Sequence, residues 1–384
     1  MVGRIVMQEN EAAEEDFRVT PWEVKGKIDY DKLVKKFGTD KIDDKLLSRI
    51  EELAGDVHFM LKRGIFYSHR DFNWILDEYE RGNDFVLYTG RGPSGNTHVG
   101  HLMPWIFAKW MQDRFGAELY FQLTDDEKFL FNFDLSLEDT HNFALDNALD
   151  IIALGFDPDK THIFIDTEYI HTLYPIALKV AKRINFSNVR AVFGFDNSTN
   201  IGSIFYTSIQ STPCFLPSEK KGENIPVVIP CGIDQDAHFR LTRDIAETLG
   251  YYKPALLHNK LAPSLDGTGK MSASKPSTTI FTTDNEEEVK NKVNEAITGG
   301  RISAKEQRKK GGNPEICAVQ NYRYYVFQED DDIVNDIAKR CKSGDILCGE
   351  CKQILIKTIN EFLRKHQEKR EGAKNKIDEF LLRD

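Results

Sequence analysis

FVLYTGRGPSGNTHVGH, residues 85–101, changes character twice. Phe85–Thr89 is a run of β-branched, aromatic and aliphatic residues, which predicts a buried strand. Gly90–Asn96 is a cluster of turn formers. From His98, apolar residues at Leu102, Trp105, Ile106 and Trp110 fall close to helical spacing as far as Phe115. The order strand, glycine-rich turn, helix aims unpaired N–H groups and a positive dipole end at the turn, a setting that suits phosphate. His98 and His101 share one face of the first helical turn, and Gly100 between them leaves room for a flat base to approach the backbone. Alone, this is equally a helix that starts with two histidines. A metal site lacks a third ligand at suitable spacing.

A second stretch, about 170 residues downstream, changes that balance. Residues 261–275 read LAPSLDGTGKMSASK, with Gly267, Gly269 and three serines around Lys270. A polar, mobile loop of this kind can carry a lysine onto a triphosphate as charge develops. By itself it is an ordinary surface loop. Paired with the first stretch, it describes a nucleotide held from two sides.

HVGH and KMSAS resemble the two signature sequences of class I aminoacyl-tRNA synthetases. LYTGRGPSG, GHLMPWIFAKWMQD, QLTDDEK, IPCGIDQDAHFRLTRD and PALLHNKLAP resemble, more narrowly, the tryptophanyl branch of eukaryotic and archaeal type. The resemblance runs from about Val19 to the C-terminus. It implies a two-step ligation: L-tryptophan and ATP give an aminoacyl-adenylate and pyrophosphate, then tRNA(Trp) takes the aminoacyl group and AMP leaves. Mg²⁺ is expected with the ATP, held by phosphates and water more than by a protein cage. No protein nucleophile is needed, so the lack of a Ser-His-Asp or catalytic-Cys pattern is consistent.

The resemblance also implies roles. Lys270 is the first candidate for stabilising phosphate charge, with His98, His101 and Arg91 assisting. Tyr88 and Gln122 are the implied partners of the indole N–H, and Glu127 and Gln210 of the α-amino group, with Cys231 in the pocket wall. Thr89, Arg91, Gly92, Gly100, Gly232, Gln235, Lys270 and Ser274 match the nucleotide contacts. Without the resemblance, Tyr88 and Gln122 read as strand-end polar residues, Glu127 as a surface carboxylate in an acidic turn, and Cys231 as a small buried hydrophobe.

Further along the chain, strand and helix patterns alternate. Strands are predicted at 119–123, 162–165, 226–230 and 255–257, and helices at 136–154 and 234–249. This is the rhythm of an α/β, Rossmann-type parallel sheet with ligands at the carboxyl ends of its strands. TDDEK and GIDQD each follow a predicted strand, so one cleft serves all three loops. Upstream, residues 1–18 are acidic and expected to be disordered. Trp22 begins an ordered extension whose 19–24 segment, by resemblance, forms a hairpin near the nucleotide, and residues 41–61 read as one amphipathic helix. After about Asp284 helices are predicted at 286–297, 333–340, 352–366 and 373–382. The expected units are an N-terminal extension over 1–82, a catalytic domain over 83–290 and an α-helical anticodon-binding domain over 291–384.

Composition sets outer bounds. No apolar run approaches the roughly 20 residues that span a bilayer, and the acidic start lacks the marks of a signal or transit peptide. A cytoplasmic protein is expected, by resemblance a homodimer with no membrane contact. Net charge is −10, which weighs against nucleic acid only if local patches are ignored. Residues 301–312, RISAKEQRKKGG, hold five Lys/Arg against one Glu, a solvated face or an RNA contact. Cys317, Cys341, Cys348 and Cys351 form a ligand set acceptable to zinc or an iron–sulfur cluster. They resemble a four-cysteine cluster of some bacterial tryptophanyl enzymes, yet helix packing explains the last pair equally well. Three other readings stay open: tyrosine specificity in the same scaffold, a nucleotidyltransferase that uses HxGH without tRNA, and a non-catalytic RNA-binding or signalling paralogue.

Overall fold

The computed structural model describes residues 28–384 and two short strands before them, β1 (Phe17–Val19) and β2 (Val24–Gly26). Residues 1–16 and Trp22 lie outside the described residues. β1 and β2 pair antiparallel; residues 20–23 of the expected hairpin segment lie outside the described residues.

The remaining strands form one sheet. They are β3 (Asp40–Lys41), β4 (Phe66–Arg70), β5 (Val86–Arg91), β6 (Leu119–Leu123), β7 (Thr161–Ile165), β8 (Val227–Gly232), β9 (Ala255–Asn259) and β10 (Leu381–Leu382). Their spatial order is β10-β7-β6-β5-β8-β9-β4-β3. The strands from β10 to β9 run parallel, whereas β4 joins β9 and β3 joins β4 antiparallel. β6 and β9 are buried along their whole length, as expected of strands covered on both faces. The connections leave β5 in opposite directions, one to β6 and one eventually to β8, so a crevice opens at the carboxyl ends of these two strands.

The helix Val99–Phe115 lies between β5 and β6. It buries Leu102, Met103, Trp105, Phe107 and Met111 and ends at Gly116, whose positive φ of 67° suits glycine. Four helices not foreseen from periodicity, Ile170–Ala181, Phe186–Phe193, Ile201–Ile209 and Leu216–Lys221, fill the path from β7 to β8.

Two sequence expectations need correction. Residues 41–61 are not one helix: the helix is Asp44–Ala54, capped by the Asp43 side chain and stopped at Gly55 with φ 82°, and a separate turn of helix covers Phe59–Lys62. The apolar spacing continued across a break set by capping chemistry. Nor do residues 373–382 form a helix. The long helix Cys348–Ala373 ends there, a single turn covers Ile377–Phe380, and β10 then pairs with β7 through Leu381–Ile163 and Leu382–Phe164. A two-residue strand carries no period to read.

The C-terminal helices share an apolar cluster with the sheet layer. Leu355, Ile359 and Leu363 belong to the same cluster as Trp105, Phe121 and Ile151. His366 meets Asp150 at 2.9 Å across that contact, and Arg370 pairs with Asp146.

Candidate active site

The ends of β5, β6, β8 and β9 and the loop after β9 enclose one cavity of about 520 Å³, within the range of roughly 300–1,000 Å³ common for small-molecule sites. Every site residue expected from the sequence lines it: Tyr88, Thr89, Arg91, Gly92, His98, Gly100, His101, Gln122, Glu127, Gln210, Cys231, Gly232, Gln235, Lys270 and Ser274.

The two motif loops are tied together by backbone. Residues 280–282 cross the start of the Val99–Phe115 helix, where the Val99 N–H donates to the Ile280 carbonyl at 3.0 Å and Thr282 N to the Thr97 carbonyl at 2.9 Å. The helix start therefore offers fewer free donors than the sequence suggested. The His98 and His101 rings stack with centroids 3.5 Å apart, and the His98 N–H donates to His101 Nδ1 at 3.2 Å. Burial, then the nearby Arg91 charge, pushes His98 down to about 3 and His101 well below the usual histidine range. Both rings are neutral at neutral pH. A Cβ on Gly100 would meet the His98 ring at 3.1 Å and Ala262 at 3.3 Å. The missing side chain thus makes room first for histidine packing.

Arg91 faces the cavity with Nε and Nη2 unpartnered and out of solvent. Burial lowers it to about 10, which leaves it cationic. Buried guanidinium donors without partners fit an anion with several oxygens. Across the cavity, Lys270 Nζ contacts Asp234 Oδ2 at 2.9 Å. The loop expected to be mobile is tied down: Met271 is buried in the core cluster and its N–H donates to the Ala262 carbonyl at 2.7 Å, while Thr279 Oγ1 donates to the Ser272 carbonyl at 2.8 Å.

At the other end a polar chain crosses the floor. The Tyr88 hydroxyl donates to Gln122 Oε1 at 2.6 Å and accepts from Gln210 Nε2 at 3.1 Å, while the Tyr206 hydroxyl donates to Gln210 Oε1. Burial holds both phenols well above their usual range. Phe239 meets the Tyr88 ring edge-on at 5.9 Å, and buried Cys231 belongs to the same apolar group. Glu127 accepts from Thr124 Oγ1 at 2.7 Å and Lys128 Nζ at 2.9 Å. Burial raises its carboxyl, but Lys128 and Thr124 outweigh that and hold it below the usual range. A Cβ on Gly92 would lie 2.1 Å from Lys128 Cε and 2.7 Å from Glu127 Oε2, so a side chain there would push the flexible end of Lys128 aside.

Sequence reasoning quoted Asp234 and Lys128 inside motifs without giving them work, and it passed over Asp166. A single sequence carries no mark of a counter-ion whose partner is 36 positions away.

Among the described residues, no group of three or more His, Cys, Asp or Glu side chains is arranged to hold a metal ion. Cys317, Cys348 and Cys351 lie near enough to Cys341 to raise its thiol, after burial. All six cysteines are free. Arg308 of the basic run donates to the Gly344 and Asp345 carbonyls and Arg301 to the Gly311 carbonyl, so part of that run braces its own surroundings. No helix among the described residues is long and apolar enough to cross a membrane.

The family model for class I tRNA synthetases (W and Y) matches residues 80–364, which takes in both motif loops and the whole cavity. The chain belongs to this family. It is 53% identical to the tryptophan–tRNA ligase of Pyrobaculum arsenaticum over 368 residues, covering 96% of this chain and 98% of that one. It is 51% identical to that of Saccharolobus solfataricus, with 95% of each covered. Among solved structures, the tryptophanyl-tRNA synthetase of Plasmodium falciparum is similar with a TM-score of 0.87 at 42% identity, covering 92% of this chain and 97% of that one.

Proposed function

We propose that this member of the family ligates L-tryptophan to tRNA(Trp) at the expense of ATP, through a tryptophanyl-adenylate. The observation that carries the reading is the single cavity with unpartnered cationic donors at one end and the Tyr88–Gln122–Gln210 chain at the other. The names of the relatives support tryptophan over tyrosine.

In the first step a tryptophan carboxylate oxygen bonds to the α-phosphorus as the bond to the bridging β-oxygen breaks and pyrophosphate leaves. Arg91 and Lys270 meet the phosphate oxygens, Lys270 by exchanging Asp234 for the triphosphate. His98 and His101 assist by hydrogen bonding. Thr89, Gly92, Gly100, Gly232, Gln235 and Ser274 surround the nucleotide. Glu127 and Gln210 hold the ammonium. The indole N–H finds its acceptor at Tyr88 and Gln122 beside Cys231, and an amino acid lacking that donor leaves the acceptor unpaired, which rejects it by about 10⁴-fold or more. In the second step a hydroxyl of the tRNA's terminal ribose attacks the adenylate carbonyl and AMP departs. Mg²⁺ would rest on phosphates and water, because among the described residues no group of three or more His, Cys, Asp or Glu side chains is arranged to hold it.

We place the catalytic unit at 83–290, its sheet extended at one edge by β4 and β3 of the 1–82 extension and at the other by β10 of the tRNA-facing helical unit at 291–384. The four neighbouring free thiols suit a reducing compartment, the cytoplasm. A homodimer is supported by an apolar face that includes Phe129, Phe133, Tyr174, Leu178 and Ile201, of which Phe133 is 91% and Ile201 83% exposed. Amino-acid-dependent ATP–pyrophosphate exchange, with tryptophan and tyrosine side by side, tests the reading. Exchange with tryptophan alone supports it, exchange with tyrosine overturns the pocket roles, and silence with both overturns the activity.

A further inference from the structure

The polar chain on the pocket floor continues beneath it to an acid so far without a role. Gln122, fully buried on β6, donates Nε2 to both carboxylate oxygens of Asp166, at 3.0 and 2.9 Å, while its Oε1 accepts from Tyr88. Asp166 directly follows β7 and is itself fully buried, and its N–H donates to the Leu123 carbonyl at 3.1 Å. The β6–β7 ladder therefore sets where this carboxylate stands. Asp126, in the first turn of the helix Asp125–Phe131, hydrogen-bonds to Asp166. Burial raises both carboxyls: for Asp126 it outweighs the bond to Asp166 and, with the Asp125 charge, brings the group up to about 7, while the Asp126 charge pushes Asp166 further up. Toward Gln122, both Asp166 oxygens stand within accepting distance of the amide Nε2.

An amide has a donating end and an accepting end of nearly the same shape, and only its partners decide which way it points. A carboxylate acceptor behind Gln122 takes the NH₂ end, which turns the oxygen to Tyr88 and the pocket. Reversed, the amide would set N–H against an incoming indole N–H. We propose that Asp166 is a positioning residue for amino-acid selection: it holds the Gln122 amide with oxygen toward the pocket, so that the pocket selects a ring bearing an N–H. This rests on the tryptophan reading above and supplies the group that enforces it.

The test compares kcat/KM in ATP–pyrophosphate exchange for tryptophan and for 3-(benzothiophen-3-yl)alanine, in which sulfur replaces the indole N–H. The unaltered chain should prefer tryptophan by about 10⁴-fold or more; no preference would overturn the tryptophan pocket and this proposal together. In Asp166→Asn, which lets Gln122 point either way, that ratio should fall at least about tenfold, chiefly through KM for tryptophan. A smaller fall, however much total activity is lost, means that Asp166 only supports the fold, and overturns the proposal. Asp126→Asn leaves the Asp166 acceptor in place, so its ratio should stay near that of the unaltered chain. A tenfold fall there would also overturn the proposal, and this second ratio stands by itself if Asp166→Asn does not fold by circular dichroism.

Discussion

Lys270 is held 2.9 Å from Asp234, so its charge is compensated before any nucleotide arrives. Its contribution is expected to appear in the transition state more than in ground-state binding. Lys270→Ala should lower kcat of adenylate formation by about 10²–10³ while KM for tryptophan changes by no more than about threefold, as read from exchange rates at varied tryptophan. Asp236, two residues after Asp234, has a structural part. It is fully buried and accepts from Arg70 Nε at 2.7 Å and Nη2 at 3.0 Å. Burial raises its carboxyl, but hydrogen bonds from His258 and Arg70 outweigh that and bring it down to about 2. A group depressed on folding adds stability above its unfolded value near 3.8 and loses it as pH falls toward 2. Asp236→Asn should therefore cost about 3–5 kcal/mol at neutral pH, because Arg70 is left uncompensated. It should also remove part of the slope of unfolding free energy between pH 4 and 2, measured by urea titration.

Among the elements, the helix Ile170–Ala181 shows how a distant residue finishes local structure. Its own N-cap, Tyr169, makes no side-chain capping bond. The Asp384 carboxylate takes that place, accepting from His171 N at 2.5 Å and from Thr172 N and Oγ1 at 3.1 and 2.6 Å. Asp384→Ala should cost about 1 kcal/mol, the usual worth of a cap, seen as a lower urea midpoint at unchanged slope. The same geography separates what could be read from the chain from what could not. β6 and the helix Val99–Phe115 were legible because alternating or helical apolar spacing coincides with turn formers at both ends. The helices between β7 and β8 were not, since Pro175 and the short lengths there interrupt any period. The break at Gly55 was written in Asp43 and Gly55, but apolar spacing ran straight through it. Site residues were legible where they sit inside dense motifs at strand ends. Asp166 and Tyr206 lie outside such motifs and take their significance only from the fold.

At the scale of the whole molecule, the helices Asp125–Phe131, Ile170–Ala181 and Ile201–Ile209 pack together, with Tyr174 against Phe205 at 6.2 Å, and leave an apolar outer face. Beneath that face lies Glu127, and Tyr206 of the helix Ile201–Ile209 reaches Gln210. If two copies bury this face, Phe133→Asp should halve the mass seen by sedimentation equilibrium. KM for tryptophan should then rise by about tenfold, as the elements under the ammonium site lose support. A change in mass with KM unaltered would mean that assembly and pocket are independent.

The pairing of β10 with β7 has a consequence for the birth of the chain. Ile163 and Leu381 are separated by roughly 220 residues, so the edge of β7 stays uncovered until that many more have been translated. At about 5–20 residues per second this interval is on the order of 10–40 s. For that time a ribosome-bound chain presents a strand edge rich in Ile and Phe, the kind of surface that invites pairing with a neighbouring nascent chain on the same message.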